Sequence, residues 1–458
     1  MLLDPTYTVL GPDPTNRKCR INCYAFQQDA IVSFQGWQYA AFYSPLHEEA
    51  PEPLYVHVAR RQLGLKAPQR DWEVLLLMDY PQTVDDGHNT VQLGISPGDG
   101  TIHLSYDHHC DVLRYRYSCR NLALKPTKFS WTSSNFTTTH DYLPNLPASH
   151  KPFHYVTYPR FCAADSDLLF TLRDGKAGLG NDHLYLYSSA SGHYSYMGQH
   201  LTGIQSNPYI HGLSYRSGRL HLTWVYRGFV HYDGWDAPAD TKHKQQAGPN
   251  GAENNHDMCY SYSDDLGKTW KNGRGKVIAS GDLETATIDN NSDGIVAFRI
   301  TKGSGLTNQE SQVVDLEGGV HVLNRSSLSV GPAADTVEAV HWKHYYKAPG
   351  DNGDWIERRL RPVYGAARGR LAIAKTGDIF IILPDAEKGH MYIEKATISS
   401  GFAAHEVVWF GEGLWGEPLV DLARLENDNI LSLMVLADTK PPTQQSGSRN
   451  VVVLDFEL

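Results

Sequence analysis

Three histidines frame one short stretch, "DDGHNTVQLGISPGDGTIHLSYDHHC" (85–110). Val91 to Ile95 and Thr101 to Tyr106 alternate in side-chain character with period two, the mark of half-buried strands. Ser96-Pro97-Gly98-Asp99-Gly100 between them is rich in turn residues. Pairing Ser96 with Thr101 brings His88 opposite His109 at the open end of a hairpin, with His108 on the other face. The same rule places Tyr158 and Arg173 at the open end of a hairpin over 154–174. It puts Tyr209 opposite Tyr226, and Arg227 opposite Pro208, in a hairpin over 207–227. Arginine binds carboxylates through two parallel N–H bonds, and histidine or tyrosine exchanges protons. No pair of acids suited to glycoside hydrolysis stands out, and there is no serine-hydrolase elbow and no HExxH. The chemistry these residue types fit is β-elimination on a uronic acid. An arginine, helped by a histidine, neutralises the carboxylate. A histidine or tyrosine takes the C5 proton, and the same or another group protonates the leaving oxygen at C4.

Seven hairpins recur along the 458 residues: 30–44, 91–106, 154–174, 207–227, 309–325, 369–385 and 417–438. Further alternating runs such as "HLYLYSS" and "VHWKHYYK" follow most of them. With 41% hydrophobic residues, 40 glycines, 26 tyrosines and no heptad or long helical pattern, the expectation is an all-β, seven-bladed β-propeller of four-stranded antiparallel blades. It forms one domain over 1–458, with a long polar insertion at about 228–255 on the binding face. "NVVVLDFEL" at the C-terminus is strand-like and could close the ring. "SDDLGKTW" (263–270) fits the Asp-box pattern, a structural turn between outer strands, so Asp265 and Trp270 are not counted as catalytic.

The formal charge of −10 argues against nucleic acid as partner, and no apolar run is long enough to cross a membrane. A local arginine cluster can still hold an acidic ligand. Six cysteines are few for a disulfide scaffold, although Cys19 with Cys23, or Cys110 with Cys119, could pair. Sequons begin at Asn135, Asn290 and Asn324. They fit a secreted protein, although the first residues lack the pattern of a signal peptide.

The stretches "GHNTVQLGI", "GTIHLSYDHH", "TYPRF", "LLFTLRDG", "NPY", "HLTWVYR" and "NHDMCYSYSDDLGKTW" resemble the BNR-4 type of propeller. Within it they are similar to the polysaccharide lyases that act on ulvan and to the fungal rhamnose–glucuronate lyases. The resemblance runs from about residue 35 to 270. It implies cleavage of a rhamnose-α-1,4-glucuronate linkage to a 4,5-unsaturated uronate, with ulvan as the alternative polymer. It also implies catalytic roles for His88, His108, Tyr158, Arg173 and Arg227; by their places at or near the hairpin ends, His109, Tyr209, Arg160 and His256 are expected to contact substrate. Which member of the His108–His109 doublet works is open at this point. No catalytic cofactor is implied; the resemblance implies a structural calcium or zinc ion, and with no clean zinc spacing in the sequence calcium is the metal expected. The partner is an acidic, uronate-containing polysaccharide, met by a secreted monomer. Blander roles compete: His88 bonding Asp85 or Asp86 within a turn, Arg160 pairing with a blade carboxylate, His256 capping a strand, Tyr158 packing in the core. Trp37, Trp224 and Trp270 read as core, and Trp235 as a sugar platform. A sialidase-like hydrolase and a non-catalytic carbohydrate-binding propeller are the other classes of protein that fit.

Overall fold

A computed structural model describes residues 1–458 except 25, 28, 48–49, 65–70, 177–179, 234–249, 281–286, 328–338, 352–353 and 440–446. Among the described residues the strands form seven antiparallel sheets. Each of the seven predicted hairpins supplies the first two strands of one sheet. The first is Ile31–Phe34 with Trp37–His47, the second Val91–Ile95 with Ile102–Tyr106, and the third Val156–Ala164 with Asp167–Asp174. The fourth is Ser206–Arg216 with Arg219–Gly228, and the fifth Ser311–Val314 with Val320–Ser326. The sixth is Arg370–Ile373 with Ile379–Asp385, and the seventh Leu414–Val420 with Ile430–Asp438. This is the expected seven-bladed propeller. The second blade has three paired strands, and only isolated bridges (Tyr115 to His140, Ser118 to Phe136) stand where its fourth would be.

The ring closes through its ends. Arg449–Glu457 pairs with Ile430–Asp438 on one side and with the N-terminal strand Thr6–Pro12 on the other. Asp455 anchors the closure: it accepts from Arg61 of the first blade at 2.6 Å and from Arg424 at 2.7 Å, all three buried. The turn expected near Asn427 is instead a short α-helix, Leu422–Asp428. Asp421 caps its N-terminus by accepting from the Arg424 amide at 3.0 Å, and Asn429 ends it in the left-handed region.

Apolar faces of neighbouring blades pack on one another. Tyr39, Tyr43 and Val58 of the first blade meet Leu93 and Leu104 of the second, for example. Trp37, Trp224 and Trp270 are buried, as core residues should be. The Asp-box is a turn: Asp265 Oδ1 accepts from Ser263 Oγ at 2.7 Å and from the Thr269 amide at 2.8 Å. All six cysteines are free thiols, so neither candidate pairing forms. Asn324 is buried, which removes its sequon as a surface acceptor. No helix is long and apolar enough to cross a membrane among the described residues.

The inner strands all run the same way round the channel, because each blade repeats the same hairpin. Residues at their N-terminal ends, and at the C-terminal ends of the second strands, therefore share one mouth. Most of the functional candidates lie there.

Candidate active site

The second blade delivers the histidines, but not by simple hairpin pairing. Val91 pairs with Tyr106 and Ile95 with Ile102, the expected register. Beyond it Asp107 and Cys110 take left-handed backbone angles (φ 65° and 55°). The chain then crosses to the third blade, where His109–Asp111 pairs with Val156–Ala164. His109 still meets His88: their rings stack with centroids 3.8 Å apart and planes 18° apart. Asp86 holds both, its Oδ1 2.6 Å from His88 Nδ1 and its Oδ2 2.6 Å from His109 Nδ1. Phe26 stacks on His88 at 4.4 Å.

The third blade contributes Tyr158 from a bulge. The register slips between Thr157 and Arg160, and Tyr158 sits at φ 57°, a conformation rare for a bulky residue. Its ring lies 5.7 Å from His88 and 5.9 Å from Tyr209. Arg173 faces the Tyr158 and Tyr209 rings at 5.7 and 5.0 Å. It is 5% exposed, makes no ion pair among the described residues, and leaves its buried Nε without a partner.

In the fourth blade a bulge between Ile210 and Gly212 shifts the expected register by one residue. Arg227 faces Asn207 rather than Pro208, and Tyr209 faces Val225 rather than Tyr226. Arg227 stands over the Tyr209 ring at 4.6 Å. Its guanidinium donates to Asn255 Oδ1 at 2.8 Å and Asn308 Oδ1 at 3.0 Å, neutral acceptors that leave its charge uncompensated.

The structure therefore brings together His88, His109, Tyr158, Tyr209, Arg173 and Arg227, and leaves three other candidates outside. His108 is buried, with Nε2 accepting the Arg114 amide at 2.8 Å. The doublet member beside His88 is His109. Arg160 is buried and donates to the carbonyls of Ile210 (2.7 Å) and His211 (3.0 Å). There it lines a cavity of about 110 Å³ in the channel with Asp29, His211 and Arg370. His256 contacts Ser206 Oγ at 3.2 Å and Asp257 at 3.3 Å, and stacks on Tyr226. Trp235 and most of the polar insertion lie outside the described residues.

Sequence reasoning offers Asp86, with Asp85, only as a turn partner for His88; that bond forms, but the hold on His109 was missed. Phe26, Asn308 and Arg368 were missed as well. Arg368 lies over the Phe26 ring at 4.7 Å. It donates to Glu417 Oε1 at 2.9 Å and to the Asn308 carbonyl at 2.7 Å. These residues come from segments hundreds of positions apart and no local pattern marks them.

Burial and the neighbouring His109 push His88 down to about 3, against the pull of Asp86, so its imidazole is neutral. Asp86 resists its own burial: the two imidazole N–H bonds hold its carboxyl well below the usual range. Burial raises Tyr158, and Tyr209 beside it adds to the rise. Tyr209 moves the other way, because the Arg227 and Arg173 guanidiniums outweigh its burial. Asp182, paired in register with Arg173, is raised by burial to about 7 despite Arg173 and Arg160. It is thus a weak counter-ion.

Asp86, His88 and His109 are the one group of described residues whose potential ligand atoms lie within 4.8 Å of one another. One carboxylate and two imidazoles do not make the cage of six to eight oxygens that calcium takes. Both Nδ1 atoms already bond the carboxylate, and the parallel rings do not converge on a common point.

One mouth of the seven-bladed ring thus gathers two buried guanidiniums, two tyrosines and a stacked histidine pair. The chain belongs to the BNR repeat-containing family, which it matches over residues 37–362. Among curated proteins it is similar to the ulvan lyase, long isoform, of Alteromonas sp. (strain LOR). Identity is 25% over 359 residues, a stretch that is 68% of this chain and 32% of that protein. The counterpart of Pseudoalteromonas sp. (strain PLSV) is 25% identical over 362 residues with the same coverage. The matched part is thus about a third of the length of these relatives. In fold the chain is similar to the polysaccharide lyase Uly1, with TM-score 0.69, 19% identity and 99% of both chains covered. It is also similar to a PL25 ulvan lyase, with TM-score 0.60, 13% identity, and 98% of this chain and 96% of that one covered.

Proposed function

We propose that this chain is a polysaccharide lyase that cleaves a rhamnose-α-1,4-glucuronate linkage by β-elimination. The observation that carries the reading is Arg173. A buried guanidinium without an ion-pair partner among the described residues, over the Tyr209 ring together with a second guanidinium that meets neutral acceptors, is built to receive a carboxylate. Arg173 and Arg227 hold the uronate carboxylate and stabilise the negative charge that spreads onto it as the C5–H bond breaks. A bare imidazole nitrogen takes the C5 proton, and a second group, a histidine or Tyr158, protonates O4. The C4–O4 bond breaks and a C4=C5 double bond forms. Glycoside hydrolysis by paired acids is less well supported, because Asp86 bonds both imidazoles and Glu417 bonds Arg368.

The similarity to ulvan lyases supports an acidic, uronate-containing polymer as substrate, met outside the cell. Ulvan itself is the second substrate reading. It is favoured by the fold likeness to a PL25 ulvan lyase bound to -[GlcA(1-4)Rha3S]-, at TM-score 0.57 and 13% identity with 94% of each chain covered. The test is ultraviolet absorbance during incubation with gum arabic and, separately, ulvan, with Arg173→Ala as control. A rise from the conjugated 4,5-unsaturated uronate, lost in the variant, supports elimination and identifies the polymer. New reducing ends without absorbance mean hydrolysis. No change on either polymer removes the support for lyase action on these substrates and favours a binding propeller.

A further inference from the structure

The Asp86 carboxylate stands in an unusual position: its two oxygens each meet a different imidazole, at 2.6 Å. An ionised carboxylate only accepts, so each Nδ1 carries the hydrogen and each Nε2 is left to take or give the transferable proton. The rings are nearly parallel, 3.8 Å between centroids. With both Nδ1 atoms on Asp86, both Nε2 atoms face the opposite way, side by side. Two imidazolium ions at that separation repel one another, and Asp86 compensates one positive charge. The groups facing the pair are Asp86, the Arg368 cation, whose charge acts on His88, and Tyr158. Asp85 turns away, accepting the amides of Lys18 and Cys19 at 3.0 and 2.9 Å.

We propose that Asp86, His88 and His109 act as one acid–base unit holding a single transferable proton, with Asp86 as the positioning residue that fixes both tautomers. This rests on the lyase reading and says how its proton moves. One Nε2 takes the proton from C5 while the other Nε2–H gives its proton to O4. The electron pair of the C5–H bond becomes the C4=C5 π bond, and the C4–O4 pair leaves with the oxygen. The unit has the same net charge before and after turnover, only with the proton on the other ring. Both nitrogens address the sugar from one side. The unit therefore suits uronates whose C5–H and C4–O4 bonds lie on the same face, the gluco configuration, over those with the two on opposite faces, the ido configuration.

The test uses the full chain labelled with ¹⁵N-histidine and followed by NMR from pH 8 to pH 4. Nδ1-protonated tautomers for both rings at pH 8, and one proton taken up by the pair as a unit, are expected. Nε2-protonated tautomers, or two independent one-proton titrations, would overturn the proposal. In parallel, Asp86→Asn should lower kcat at least about 10²-fold, with KM within about threefold and a displaced pH–rate profile. A variant with the wild-type profile would overturn the positioning role. Equal rates on glucuronate- and iduronate-linked oligosaccharides would overturn same-face transfer. If the wild type yields no unsaturated product on any uronate polymer, the lyase reading fails, while the NMR result still decides whether the unit exists.

Discussion

Replacing Arg173 by alanine separates function from stability at one position. The guanidinium is 5% exposed, faces two tyrosine rings, and has no ion-pair partner among the described residues. The nearest acid in register, Asp182, is pushed up to about 7 by burial and so compensates little. In the bound state a carboxylate would accept two charge-assisted hydrogen bonds, each contributing about 1.5–3 kcal/mol. Losing both costs about 3–6 kcal/mol, or roughly 10²–10⁴-fold in kcat/KM at about 1.4 kcal/mol per factor of ten. Arg173→Lys keeps the charge but not the fork, and should lose roughly 10–10²-fold. Among the described residues no ion pair stabilises the free guanidinium, and the cation–ring contacts contribute about 0.5–2 kcal/mol against relief of desolvation. Tm of Arg173→Ala should therefore stay within about 4 °C of wild type. Initial rates of unsaturated-product formation and a thermal melt on the same preparations give both numbers. A kcat/KM within threefold of wild type, or a melt lowered by more than about 10 °C, would refute the assignment.

Gly180→Ala makes a second approach to the same group. A Cβ there would lie 2.1 Å from Arg173 Nε, so the side chain must swing aside. The expected result is a loss of roughly tenfold or more in kcat/KM with an unchanged melt, and an unchanged rate would sink it. Asp455→Ala strands two buried arginines at the ring closure. It should cost about 3–5 kcal/mol in urea unfolding, and a cost under about 1 kcal/mol would show that the closure does not depend on it. Acid should destabilise the fold through its buried histidines. Burial holds His103 and His200 at about 3, and burial with the Arg160 and Arg368 charges does the same to His211. Their folded values lie below the unfolded 6.5, so as pH falls through 6.5 the unfolded chain takes protons that the folded chain refuses. Stability is full above that pH and lost as pH falls towards the folded values. Equal denaturation midpoints at pH 7.5 and pH 4.5 would contradict this.

The sequence by itself determined the propeller. Period-two alternation and glycine-marked turns are local properties, and seven copies of one hairpin have few ways to bury their apolar faces except around a ring. The Val91–Ile95 to Ile102–Tyr106 register followed from the turn alone. The site was legible as far as local register carries: His88, Tyr158, Arg173, Tyr209 and Arg227 all sit at hairpin ends on one mouth. The tertiary structure decided the rest. Bulges at Tyr158 and before Gly212, and left-handed residues at Asp107 and Cys110, re-aim side chains by one position. Alternation cannot announce such an insertion, because one extra residue reverses every face beyond it. The turns at Asp107 and Cys110 carry His109 to the third blade, where its ring still meets His88, the partner that hairpin pairing gives it. Phe26, Asn308, Arg368 and Glu417 join the site only because closing the ring brings distant segments to the same mouth. Whether a guanidinium is neutralised or left bare depends on those neighbours. The residue types were written in the sequence, and their electrostatic state was set by packing across blades.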